Sequence, residues 1–302
     1  MRAIDVGIGR VTHLAFRPGG TLLAASGHDG VGLAVWPALA EGRGPFDLAR
    51  TEEKIAQVAW HPDGHLFAGA GMDSGIVWVW DSRLRVRQEL LPPSGEEKPT
   101  VALAFSPDGN WLAFGGGWRD EPTRAVVVPT AKWKPYAFIG RREQPIGALV
   151  FTRPDMLVTG SADRSVGVYG ILDPADDGPP IPVPSPVQAL ALRPDGARLA
   201  VAAGNQVHVW RVDADGQPGS AGELLCRGHK GVVRAVAFMP DGRALVSVGD
   251  DGSLRFWDPE TGAARAALDL GLGVLKAVAC APDGLTVVAA GDAGTVAIVD
   301  AE

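Results

Sequence analysis

The residues able to do chemistry are six histidines, two cysteines and a few glycine clusters, and their spacing is the first test. His61 and His65 flank a proline turn, where a metal clip would be accidental, so they read as solvated turn residues. Cys226 and Cys280 have neither a disulfide framework nor a metal-type spacing and read as small residues in or beside strands. Gly69, Gly71 and Gly75 imitate a dinucleotide fingerprint, but they lie in a strand–turn–strand unit, and that chemistry needs a helix N-terminus after the turn. The sequence contains no Gly-x-Ser-x-Gly elbow, no Gly-x-x-x-x-Gly-Lys-Ser/Thr loop and no calcium loop ending in glutamate. The expectation is a non-enzyme, with no catalytic residue, no metal and no cofactor.

The elements that would position any site repeat along the chain. Prolines 18, 62, 107, 154, 194, 240 and 282 are separated by 44, 45, 47, 40, 46 and 42 residues. Five of them are followed by Asp-Gly: Asp63-Gly64, Asp108-Gly109, Asp195-Gly196, Asp241-Gly242 and Asp283-Gly284. Proline presets φ, aspartate bonds its own backbone and glycine accepts positive φ, so each turn predicts a β-hairpin. Residues before the turns alternate: Val233, Ala235 and Ala237 are expected on one face, Arg234, Val236 and Phe238 on the other. After the turns come short apolar runs such as Leu199-Ala200-Val201-Ala202, as in strands buried on both faces.

Composition is that of a folded chain: 46% hydrophobic and 21% charged residues, with 40 glycines and 24 prolines. The net charge of −7 is a poor counterpart for a phosphate backbone, so nucleic acid is not an expected partner. Residues Met1 to Asp5 lack a signal peptide's apolar core, and no apolar run approaches the ~20 residues that span a bilayer. The expectation is a cytoplasmic protein without membrane contact.

The sixth repeat carries the most specific motif. Gly228-His229 precedes its first strand, Ser247 lies on the second, Asp251 on the next turn, and Trp257-Asp258 ends the third. With these residues the chain resembles the WD40-repeat family, over essentially its whole length. The resemblance implies an all-β fold, a seven-bladed β-propeller with four antiparallel strands per blade. It also implies that His229, Ser247, Asp251 and Trp257 form a hydrogen-bonded tetrad, expected in full only here. The other repeats are degenerate. Repeat four keeps Thr159 and Asp163 with Tyr169 at the tryptophan position; repeat two keeps Asp73, Trp80 and Asp81; repeat one keeps Asp29 and Trp36; repeat five keeps Trp210; repeat seven ends in Val299-Asp300.

The last repeat stops after its third strand, while Arg2 to Val6 is a spare strand-like segment. The N-terminal strand is therefore expected to complete the last blade and close the ring, leaving no open edge. This makes residues 1–302 a single domain, with repeats near 10–50, 54–92, 98–141, 145–185, 186–229, 230–271, and 272–302 plus 1–8. The proline-rich stretch from Asp173 to Pro186 reads as a distorted edge strand and loop of the fourth blade.

Proteins of this family commonly bind peptides or proteins on one rim of the channel. The resemblance implies a rim built from the starts of the first strands: Arg10 and Thr12, Lys54 and Ala56, Pro99 and Val101, Pro145 and Gly147, Pro186 and Gln188, Val232 and Arg234, Val274 and Lys276. Four of these fourteen are basic and none is acidic. The turns before the third strands add His28, Met72, Trp118, Arg119, Asp250 and Asp292. The expected function is a protein-binding scaffold, or a subunit of a larger complex, that receives an acidic or phosphorylated segment. Arg10, Lys54, Arg234 and Lys276 would be its electrostatic contacts and Trp118 its apolar anchor. Two alternatives stand beside it: a regulatory or sensory subunit acting on a separately encoded enzyme, and a propeller enzyme or small-ligand binder. The last fits less well, because propeller enzymes cluster carboxylates or histidines on innermost strands that here carry Val, Ala, Leu and Phe.

Overall fold

The computed structural model describes residues 2–5, 9–20, 22–27, 32–36, 53–83, 85–90, 99–118, 121–173 and 178–301. The proline turns form the hairpins that their chemistry requires. In the second, Gly64 sits at φ +72° and its N–H donates to the His61 carbonyl at 2.8 Å. Asp63 Oδ1 accepts the His65 N–H at 2.7 Å, so the aspartate fixes the far side of the turn.

These hairpins build seven antiparallel sheets, and no helix occurs among the described residues. We number the blades by their first strands: Val11–Phe16, Ile55–Trp60, Thr100–Phe105, Ile146–Arg153, Val187–Leu192, Val233–Phe238 and Leu275–Cys280. Each first strand packs against the first strand of the next blade, and that of blade 7 returns to that of blade 1, which closes a ring around a central channel. Blades 2 to 6 are each four strands in chain order. Blade 7 takes Arg2–Asp5 as its outer strand, antiparallel to Thr295–Asp300, with Ala3 opposite Ala297 and Ile4 opposite Val296. Blade 1 has three described strands, and its outer strand would fall within 37–52, outside the described residues. The fold is a seven-bladed β-propeller closed by its N-terminal strand.

Apolar clusters fill the space between adjacent blades. One joins Val207 and Val209 of blade 5 to Val236, Phe238 and Trp257 of blade 6. Middle strands therefore bury both faces, and Leu199 to Ala203 is buried at every position.

The expected alternation on the first strands is interrupted. In blade 6 Val233 pairs with Gly249 and Ala235 with Val248, so Arg234 is an extra residue in a β-bulge. The bulge moves Val233 to the face of Val236 and Phe238, while Ala235 and Ala237 face blade 7. The same shift occurs in all seven blades, at Thr12, Ala56, Val101, Gly147, Gln188, Arg234 and Lys276. No helix among the described residues is long and apolar enough to cross a membrane.

Candidate functional site

The seven bulged residues are the ones that line the mouth of the channel, around a cavity of about 160 Å³. A bulge leaves its residue out of the ladder and re-aims it, so each blade contributes one residue to the ring without disturbing its own core. Around the ring these are Thr, Ala, Val, Gly, Gln, Arg and Lys, so polar side chains gather on blades 5, 6, 7 and 1.

The cations of this rim are paired. Arg234 Nε and Nη2 each donate to the Asp250 carboxylate at 2.7 Å, and Nη1 donates to Gln188 Oε1 at 3.0 Å. Lys276 Nζ lies 2.5 Å from Asp292, and Lys54 Nζ lies 3.8 Å from Asp73. Each aspartate comes from the turn before the third strand, at the residue that follows or adjoins the end of the second strand. The basic bias read along the strand starts is thus offset by a second ring of residues. Arg10 is exposed; Thr12 Oγ1 lies 3.0 Å from Ser26 Oγ and donates to the Ile55 carbonyl at 3.1 Å. The half-buried Met72 donates its N–H to the Lys54 carbonyl at 2.9 Å, and Trp118 is 52% exposed. His28 and Arg119 lie outside the described residues.

In blade 6 a one-way hydrogen-bond chain runs through the buried sheet. Trp257 Nε1 donates to Ser247 Oγ at 2.7 Å, and Ser247 Oγ lies 2.8 Å from His229 Nε2. His229 Nδ1 lies 3.0 Å from Asp251 Oδ1, and Asp251 Oδ2 accepts the Lys230 N–H at 2.8 Å. With His229 Nδ1–H donating to Asp251, Nε2 must accept from the serine hydroxyl, which leaves Ser247 Oγ to accept from the indole. Burial pushes the Asp251 carboxyl up, but hydrogen bonds from Lys230, His229 and Ser253 outweigh it and hold the group well below the carboxylate range.

Two other blades solve the same problem with residues that the motif did not point to. Arg142 stands four residues before Ile146, as His229 stands four before Val233, and donates to Ser165 Oγ at 2.6 Å with Asp163 3.5 Å away. In blade 5, Val201 replaces the serine, and Glu223 on the outer strand accepts from Trp210 Nε1 at 2.8 Å while lying 2.6 Å from His208 Nδ1. The signals were a buried-type strand ending in arginine and a His-x-Trp pair facing a glutamate, legible only once the register is known. His61 is also not a solvated turn residue: its ring is largely buried, with Nε2 2.9 Å from the Gly109 carbonyl of the next blade.

His13 sits one residue past the bulge of blade 1, lines the channel, and has its Nδ1 buried without a partner. Burial pushes its pKa down to about 4, and burial also lowers that of His229 against the opposing pull of Asp251. The His13 ring stays neutral in the folded protein down to about 4, whereas an unfolded imidazole binds a proton near ~6.5. Between about 4 and that value the unfolded chain holds more protons, so stability falls as the pH drops through this window. The shift at His13 corresponds to roughly 3 kcal/mol at most. The apparent Tm by circular dichroism should fall between pH 7.5 and pH 4.5, and His13→Gln should flatten the slope. Parallel slopes for the two proteins would contradict the assignment.

Comparison with known proteins gives the same repeat. The family profile described as "WD domain, G-beta repeat" matches residues 48–81 and 222–258, which include the Trp-Asp ends of blades 2 and 6. The chain is 27% identical over 224 residues to Actin-interacting protein 1 of Drosophila melanogaster, covering 70% of this chain and 34% of that one. It is 29% identical over 259 residues to Telomerase protein component 1 of Mus musculus, covering 82% and 9%, and 26% identical over 239 residues to WD repeat-containing protein 1 of Gallus gallus, covering 72% and 36%. The chain thus spans about a third or less of the length of these relatives. Seven antiparallel blades, each bulged in its first strand, the two profile-matched repeats and these relatives together show a seven-bladed β-propeller with WD40 repeats.

Proposed function

We propose that this propeller is a non-catalytic interaction scaffold that receives a segment of a partner protein on its channel rim. The observation that carries the reading is the convergence of seven bulged residues, one from each blade, on a single mouth. Its relatives support it: WD40 propellers generally act by binding other proteins, and one relative is named for interacting with actin. Among the described residues no group of three or more metal-ligating side chains gathers.

The rim is a mixed-charge surface, which refines the ligand. An acidic or phosphorylated segment reaches Arg234 and Lys276 by exchanging with Asp250 and Asp292, and Arg234 keeps N–H groups not used in its present pairs. Trp118 adds an exposed apolar anchor on the third-blade turn. The test is capture from native extract by the wild-type protein and by an Arg10→Glu/Lys54→Glu/Arg234→Glu/Lys276→Glu variant with an unchanged circular dichroism spectrum. A partner retained by the wild type and reduced at least tenfold with the variant supports the rim. Equal capture by both proteins overturns it.

A further inference from the structure

The outer strand of blade 3, Ala137–Arg142, differs from the rim in how its charges are placed. Thr123 to Arg142 contains five basic residues and no acidic one, in a chain whose net charge is −7. Arg142 is buried in its pair with Ser165 and Asp163, but Arg124, Lys132 and Lys134 are exposed and enter no ion pair among the described residues. Arg141 reaches Glu143 only at 3.7 Å, with both side chains mostly exposed. On the rim Arg234 and Lys276 are held closely by Asp250 and Asp292, while Arg124, Lys132 and Lys134 are open to a ligand.

Aromatic surface lies between these charges. Tyr136 is 52% and Phe138 45% exposed, and Tyr136 leans on Trp111 with ring centroids 5.0 Å apart. Phe138 stands opposite Val126 on the next strand in. The turn before the strand presents the lysines: Trp133 takes φ +53°, unusual for a bulky residue, and packs into the core between blades 2 and 3 while Lys132 and Lys134 stay outside. The strand is the outermost of its sheet, with no strand beyond it among the described residues. Natural edge strands guard themselves with charges along their length. Here the middle of the strand, Ala137-Phe138-Ile139-Gly140, has none, and the cations stand at its two ends.

We propose that this edge is a second docking surface, for an extended acidic segment of a partner protein that carries a bulky apolar side chain. The segment adds as a strand along Ala137–Ile139, ahead of the bulge at Gly140 (φ +64°); its apolar group lies against Tyr136 and Phe138, and its carboxylates meet Lys132 and Lys134 at one end and Arg124 and Arg141 at the other. Strand addition supplies affinity through the main chain, and the aromatic and basic side chains select the sequence.

The probe is a fluorescein-labelled decapeptide alternating Asp or Glu with Phe and Leu, titrated by anisotropy. Its controls are the same peptide with each acid changed to its amide, and one with Phe and Leu changed to Ser. Saturable binding is expected for the acidic apolar peptide only, weakening about tenfold between low and moderate salt as exposed charges are screened. In the four-residue rim variant, which removes any peptide held at the rim, saturable binding should persist, and in that background Phe138→Ser and the Lys132→Glu/Lys134→Glu pair should each weaken it at least tenfold with the fold intact. Equal binding of the amide peptide, or no effect of the edge variants, overturns the proposal. So does loss of binding in the rim variant alone, which would place the peptide on the rim. A dimer in sedimentation that Phe138→Ser abolishes makes a second copy of the chain the occupant, and overturns the proposed partner.

Discussion

Gly291→Ala is expected to destabilise the protein by about 3 kcal/mol or more, the upper end of overpacking costs. A Cβ at Gly291 would lie 2.0 Å from the Val274 carbonyl oxygen, and no side-chain movement relieves a contact with backbone. The cause is the bulge at Lys276: it folds the entrance of the first strand over the end of the second, where Asp292 N–H donates to that same carbonyl at 3.2 Å. Gly116, at 2.0 Å from the Pro99 carbonyl, and Gly249, at 2.5 Å from that of Val232, occupy the same place in blades 3 and 6. For a chain of this size the loss amounts to a fall in apparent Tm of about 5 °C or more. Gly219→Ala, with nothing within 4 Å of the new Cβ, is the matched control and should melt as wild type. A Gly291→Ala variant that melts with this control would refute the bulge geometry at the rim.

The second large effect is expected at Ser247. Its hydroxyl serves Trp257 and His229 at once, and all three side chains are essentially inaccessible to solvent. Ser247→Ala leaves an indole N–H and an imidazole nitrogen without partners, at about 1–3 kcal/mol each, so a total loss of about 3 kcal/mol is expected from urea unfolding. Ser247→Thr keeps the hydroxyl and should recover most of it, since blade 4 carries Thr159 at the corresponding register position. If Ala and Thr cost the same, lost shape and not lost hydrogen bonding sets the effect.

Much of the architecture could be read from punctuation. Pro-Asp-Gly turns at near-constant spacing marked the blades, and the unused segment after Met1 marked the closing strand, because both depend on local backbone chemistry. The bulges were hidden: Val233, Arg234 and Ala235 look like ordinary alternation, and an inserted residue shows only when the partner strand is in view. The same limit hid the partners of the rim cations. Asp250 and Asp292 were seen as rim residues, but a pairing between the start of one strand and the end of the next depends on where the bulge aims the side chain. Arg142 and Glu223 escaped because each does the work of a motif residue with a different functional group, brought in from an outer strand, which for Arg142 is that of the preceding blade.

The strand Arg2–Asp5 precedes every other described strand in the chain, and its partner, Thr295–Asp300, follows all of them. Blades 2 to 6 draw all their strands from contiguous stretches and can assemble as synthesis proceeds, but the joint between blade 7 and the strand Arg2–Asp5 must wait until every blade between them has been made. During that interval a bare edge and a half-made ring are exposed together, the arrangement most prone to pairing with another nascent chain. Chaperone dependence in this protein should therefore concentrate on the final latch and not on the blades that precede it.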